Sequence, residues 1–279
     1  MRFTSFFAAL AVLILTGCQP ADTPAPAEPP QQATQEPASA AAEPQAAQPS
    51  RFDIYATVRL TADLSHLNDQ QKAMIPLLIE ASKIMDDLYW MQALGDKDAF
   101  LASIEDPRER RFAEINYGPW DRLAADQPFI ETYGAKPLGA QFYPADMSRE
   151  EFEAWQQEGK DGLYTLVRRD ESGQLVLQAY SEAYAPQLAD AAALLREAAE
   201  LASDAAFANY LRMRADALLS DAFQPSDMAW MDVKDNPIEL VIGPLETYED
   251  RLFGSRAAYS SRTPCWPSTT RSWCPSRVC

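Results

Sequence analysis

Two helical stretches follow one another almost without a break over residues 186–219, and they commit the body of this chain to a largely helical architecture. The first is expected over 187–202, with Pro186 suited to its first turn, and the second over 204–219, capped by Ser203. Ala189, Ala193, Leu194, Ala198 and Leu201 form the expected buried face of the first. Phe207, Tyr210, Leu211, Met213 and Leu218 form that of the second. Alanines allow close approach, so the pair reads as an αα-hairpin with a structural role and no chemistry of its own.

The same period appears upstream. Asn68 caps a long helix with Gln71 as its capping-box partner, Pro76 is expected to kink it, and Gly95 ends it. Leu77, Leu78, Ala81, Ile84, Met85, Leu88 and Met91 make its apolar stripe, which is a core face. Residues 100–105 and 107–115 predict two short helices, followed by an aromatic-rich turn over 116–121. Residues 134–146 predict a packed or binding loop carrying Gln141, Phe142 and Tyr143. Ser148 and Glu151 form a second capping box, with Met147 and Phe152 as a hydrophobic staple, and predict a helix over 149–157. Residues 223–230 read as a loop.

Strand signals are fewer. Ile54, Ala56, Val58 and Leu60 alternate over 52–60, and the stretches 163–168 and 174–180 flank Asp170-Glu171-Ser172-Gly173 as a hairpin. Residues 238–242 form a β-branched run bounded by Pro237 and the turn pair Gly243-Pro244. The fold class expected is therefore α+β: a mainly helical body with a small antiparallel or mixed β element.

The ends differ from the body. Arg2, the apolar run 6–15 and Leu15-Thr16-Gly17-Cys18 form a lipoprotein signal over 1–17, too short to span a membrane. Cys18 is the expected lipidation site and new amino terminus, against the alternative of an unprocessed thiol. Gln19 beside it suggests passage to the outer membrane, facing the periplasm. Residues 18–50, almost wholly Ala, Pro, Gln, Glu, Thr and Ser, cannot bury enough apolar area to order, and are expected to act as a disordered tether of roughly 3.1 Å per residue where extended. No cysteine lies between Cys18 and Cys265, so the body (51–259) uses no disulfide.

Residues 260–279 hold three cysteines, two tryptophans and no acidic residue, without helix or strand period. Cys265, Cys274 and Cys279 lack the paired spacing of a zinc ribbon. A tail translated out of frame and unstructured is the expectation. A shifted frame admits Glu-Ser-Tyr-Ala-Leu-Leu-Ala-Val-Asp after Tyr259, and the nucleotide sequence of the gene tests it.

With a formal charge of −17 the chain is a poor partner for nucleic acid, which demands a basic footprint. An acidic surface suits solubility first and cationic peptides second. The stretch most like a site is 236–254, where Glu246, Thr247, Tyr248, Glu249 and Asp250 follow the strand signal. A Glu and a Tyr on one loop suit an ammonium and a carbonyl, respectively; an ordinary polar turn is the competing reading.

Ile242-Gly243-Pro244-Leu245-Glu246-Thr247-Tyr248-Glu249-Asp250, followed by Phe253-Gly254, resembles the Ile-Gly-x-Ile-Glu-Ser-Tyr-x-Asp motif of the dipeptidyl-peptidase III family. The resemblance is to a bacterial branch, also seen fused behind a Nudix domain in plants. It extends over residues 51–259 through Phe52-Asp53-Ile54-Tyr55-Ala56, the stretch Glu114 to Arg122 and the stretch Gly139 to Met147. It implies a zinc peptidase that releases dipeptides from peptide amino termini in a cleft between two lobes. On this resemblance Glu246 holds the substrate amino group, and Tyr248 donates to the carbonyl oxygen as charge develops.

The family's zinc is held by two His of a His-Glu-x-x-x-His helix and by a Glu, all downstream of that motif. This chain has one His, His66, expected in a turn or cap at a helix start, so a zinc site built on imidazoles is excluded for it. The expectation is no metal or other cofactor in this chain and no peptidase activity on its own. The alternative is a non-enzymatic periplasmic lipoprotein that binds peptides or a protein partner.

Overall fold

In the computed structural model the described residues are 50–262, apart from Leu60 and Asp235. The expected signal segment with Cys18, the expected tether before Ser50 and the residues beyond Arg262 lie outside them. Helix α1 (Asp69–Ala93) opens with the expected capping box: the Asn68 side chain accepts from Gln71 N–H at 2.8 Å and the Gln71 side chain accepts from Asn68 N–H at 3.0 Å. It runs unbroken through the exposed Pro76. Short helices α2 (Lys97–Ala102) and α3 (Pro107–Asn116) follow, capped by Asp96 and Asp106. Tyr117 ends α3 in a left-handed conformation, and strands β1 (Trp120–Asp121) and β2 (Gln127–Pro128) pair antiparallel beyond it.

The second part of the body carries α4 (Arg149–Ala154) and the hairpin β3 (Thr165–Arg169) and β4 (Leu175–Ala179). Helices α5 (Tyr180–Ala183), α6 (Ala185–Leu201), α7 (Ala205–Ser220) and α8 (Gln224–Met231) come next. Strands β5 (Val241–Glu246) and β6 (Ala258–Arg262) complete the described chain. The fold is α+β and mainly helical, with three separate two-stranded antiparallel ribbons among the described residues. Helix α6 packs between α1 and α7, and β6 lies against α1. Leu78, Ala81, Met85 and Leu88 of α1 meet Leu188, Leu195 and Ala198 of α6 and Phe207, Tyr210, Leu211 and Leu218 of α7 in one core.

Several expectations need correction. Residues 52–59 form no strand, and Leu60 lies outside the described residues: a 3-10 turn, Arg51–Asp53, leads into irregular chain with Ile54 and Val58 exposed. Aromatic packing holds this segment, with Phe52 5.4 Å from the Phe112 ring and Tyr55 5.5 Å from it. On α6 the buried face is Leu188, Ala191, Ala192, Leu195, Ala198 and Ala199, while Ala189 and Ala193 are exposed. Asp190, Arg196, Glu197 and Glu200 fall on the same side of the helix as Ala189 and Ala193, and this charged side faces solvent.

Asp204, not Ser203, caps α7, accepting from Phe207 N–H at 2.6 Å. Residues 223–230 are mostly helix α8, with Pro225 in its first turn. Within 238–242 only Val241 and Ile242 belong to β5. Gly243 and Pro244 continue that strand instead of turning it. Strand β6 runs through Ser260 and Ser261 to Arg262, so pairing with β5 orders three residues expected to be unstructured.

Candidate functional site

Strand β5 pairs with β6 in the register Ile242↔Ser261, Gly243↔Ser260 and Pro244↔Tyr259, with an irregularity between Pro244 and Glu246. A ribbon of two strands tolerates Pro244, because β5 has a partner on one edge only and the missing N–H need not break a ladder. Gly243 has φ +130°, and a Cβ there would come within 3.4 Å of both the Arg214 guanidinium and the Phe223 ring. Glycine thus lets the strand pass close to α7 and α8 in a backbone conformation that other residues rarely adopt. Ile238, Leu240 and Ile242 are buried, which fixes the strand and delivers Glu246 to the rim.

After Glu246 the chain turns, with Asp250 N–H donating to the Thr247 carbonyl at 3.1 Å. Side chains then separate into two sets. Tyr248 is 79% exposed and Glu246 half-buried, whereas Glu249 and Asp250 are buried. Glu246 Oε1 accepts from Arg262 Nη2 at 2.6 Å across the ribbon. The two residues expected to meet substrate are therefore on the accessible side of the loop.

Asp250 organises the loop from within. Its Oδ1 accepts from Leu252 and Phe253 N–H at 3.1 and 3.2 Å, and its Oδ2 from Ser255 and Arg256 N–H at 2.9 and 3.1 Å. Tyr143 Oη adds a fifth bond to Oδ2 at 2.8 Å. Tyr143 comes from the 134–146 loop, which is packed: Phe142 is fully buried and Gln141 N–H donates to the Gln92 carbonyl on α1 at 2.9 Å. Burial pushes the Tyr143 hydroxyl pKa well up, so the group stays a donor to the carboxylate beside it. Arg256, with no exposed surface, donates to the Gly162 carbonyl at 2.5 Å and to that of Lys160, and lies over the Tyr143 ring.

Glu249 points the other way, into a cluster of three cationic or phenolic partners. Lys136 Nζ lies 2.5 Å from Oε1, Arg122 donates to Oε2 at 2.8 Å and to Oε1 at 3.3 Å, and Tyr89 Oη donates to Oε2 at 2.7 Å. Burial alone would raise the Glu249 pKa, but Arg122 and Lys136 outweigh it and bring it down to about 2. Burial draws the Lys136 ammonium below its ordinary range, against the pull of Glu249. Arg122 is held in turn: its Nε donates to the Asn116 carbonyl at 2.7 Å and its plane lies near the Tyr89 and Tyr117 rings.

A cleft of about 680 Å³ lined by Tyr55, Trp90, Lys97, Tyr117 and Arg122 opens beside this cluster; Glu246 and Tyr248 do not line it. His66 is exposed in the turn before α1, as expected. Among the described residues no group of three or more His, Cys, Asp and Glu is placed to hold a metal ion. The residues present do not fit the zinc that the resemblance implies. Cys18 lies outside the described residues.

Sequence reasoning singled out Glu246 and Tyr248 and assigned nothing to Glu249, Asp250, Arg122, Lys136 or Tyr89. The aromatic-rich turn before Arg122 was the nearest signal. Five consecutive polar residues, Glu246 to Asp250, do not reveal which of them turn inward.

No protein-family profile matches the chain. It is similar to Nudix hydrolase 3 of Arabidopsis thaliana, with 30% identity over 269 aligned residues covering 74% of this chain and 35% of that protein. Among solved structures it is similar to DPP III from Caldithrix abyssi, at 38% identity and a TM-score of 0.72, over 76% of this chain and 42% of the other. Dipeptidyl-peptidase III from Corallococcus sp. strain EGB gives 36% identity and a TM-score of 0.71, over 75% and 41%. The chain thus spans about two fifths of the peptidase structures and about a third of the plant protein.

Proposed function

Starting from a body that is similar to the amino-terminal part of dipeptidyl-peptidase III, we propose that this chain binds the free amino terminus of a peptide through Glu246 and Tyr248. The observation that carries this reading is the division of one loop: Tyr248 and Glu246 reach the surface while Glu249 and Asp250 fasten the backbone beneath them. Glu246 supplies a carboxylate for an ammonium group, a contact stronger than a neutral hydrogen bond. Its ion pair with Arg262 means that an incoming ammonium shares or displaces that partner. Tyr248 supplies a hydroxyl that donates to a peptide carbonyl oxygen, the group on which negative charge gathers in acyl transfer.

With a single His in the chain and no fitting donor set among the described residues, none of this chemistry runs through a metal. The chain as given binds a peptide and leaves it intact. That holds for both functions considered from the sequence, a peptidase-like protein and a non-enzymatic binding lipoprotein. Supporting the anchor are the Leu15-Thr16-Gly17-Cys18 motif and the Pro-rich stretch behind it. We place the protein on the periplasmic face of an outer membrane, attached through lipidated Cys18.

Calorimetric titration with tetra-alanine and with its N-acetylated form tests the binding role. Tetra-alanine should bind and the acetylated peptide should not, and Glu246→Gln should abolish the difference. Equal binding of the two peptides by the unsubstituted chain would refute the role. Metabolic labelling with radioactive palmitate tests the anchor: Cys18→Ser should remove the label, and a retained label would sink it.

A further inference from the structure

We propose that Glu249 is a positioning residue whose buried carboxylate, gripped by Tyr89, Arg122 and Lys136, sets where Tyr248 stands relative to α1. The inference rests on the reading of Tyr248 and Glu246 as the peptide-facing pair. A side chain as exposed as Tyr248 is not held by packing, so its placement follows from the backbone that carries it. That backbone has a fixed residue on either side, Glu246 in the β5–β6 ribbon and Glu249 in the ion cluster.

The two buried acids do different work. Four of the five bonds to Asp250 come from its own loop, from Leu252, Phe253, Ser255 and Arg256 N–H groups, and the fifth, from Tyr143, ties it to the 134–146 loop, so Asp250 mainly shapes the loop and none of these five bonds comes from α1. Glu249 takes its partners from elsewhere: Tyr89 from α1, Arg122 from the turn after β1, and Lys136 from the segment after Tyr133. Contacts to both Glu249 oxygens from the planar Arg122 guanidinium constrain the carboxylate in orientation as well as distance. Asn116 and the Tyr89 and Tyr117 rings immobilise Arg122 itself. Loss of the anion would leave Arg122 and Lys136 facing each other in a buried site, which drives local rearrangement. Tyr248, one residue away, moves with it.

Hydrogen exchange measured by mass spectrometry on the full chain reads the placement directly, without any peptide. Glu249→Gln should raise exchange over residues 245–252 about tenfold or more, the factor for one charge-assisted hydrogen bond, while α6 and α7 stay protected. Tyr89→Phe keeps every charge, removes the 2.7 Å bond to Glu249 and should raise exchange over the same residues several-fold. Both variants should weaken tetra-alanine binding and shrink its advantage over the acetylated peptide. Unchanged exchange over 245–252 in both variants would overturn the role. So would a rise spread evenly through α6 and α7, which marks general loosening. Should the unsubstituted chain fail to distinguish the two peptides, the peptide reading falls, and the exchange result still decides for or against the role of Glu249.

Discussion

Replacing Asp250 by Asn keeps the shape of the side chain and changes only what it can accept. The carboxylate takes two backbone N–H groups on Oδ1, and two N–H groups with the Tyr143 hydroxyl on Oδ2. An amide has one acceptor oxygen, so whichever way it turns, its NH2 group faces at least two donors. The less costly orientation gives up the Leu252 and Phe253 bonds and buries their N–H groups against another donor. At about 1 to 1.5 kcal/mol for each such loss, with the remaining bonds weakened by removal of the charge, the total is about 3 kcal/mol. In a body of this size each kcal/mol corresponds to about 2–4 °C of melting temperature, so Asp250→Asn should melt about 6–12 °C lower. Differential scanning calorimetry at neutral pH measures this. A drop of less than about 2 °C would refute the reasoning, because it would mean that these donors find water or other acceptors at no cost.

The Glu249 cluster predicts an acid dependence: with its pKa lowered from 4.5 to about 2, its contribution is complete above pH 4.5 and is lost as pH falls toward 2. The loss amounts to about 3 kcal/mol at most, since burial of Lys136 opposes part of it. Urea midpoints of the unsubstituted chain and Glu249→Gln should draw together over that window, and a difference at pH 2.5 as large as that at pH 4.5 would contradict the assignment. Leu195→Ala, at a fully buried site where α6 meets the core, should cost about 2–5 kcal/mol by urea unfolding. Tyr248→Phe should change stability by less than about 0.5 kcal/mol, because the ring is exposed, while weakening tetra-alanine binding.

Much of the scaffold was legible in advance because it rests on local chemistry. The Asn68–Gln71 capping box, the Ser148 cap of α4, the Asp170–Gly173 hairpin turn and the consecutive helices α6 and α7 are each written in residues a few positions apart. Their caps and periods depend on those neighbours and on little else. Strand alternation over 52–60 misled because a period of two marks a strand only when a partner supplies its hydrogen bonds, and here Phe112 and Phe129 offer rings instead.

At the candidate site the sequence determined which chemical groups are present after β5, and the motif resemblance determined which of them to examine. Only the tertiary structure decided their directions. Glu246 and Glu249 are the same residue type three positions apart. One is half-buried and pairs with Arg262 across a ribbon, and the other is buried against cations from distant segments. A carboxylate goes inward only where enough donors converge to replace its hydration, and the convergence of Tyr89, Arg122 and Lys136 on Glu249 exists only once α1, the β1 turn and the 134–146 loop have packed together.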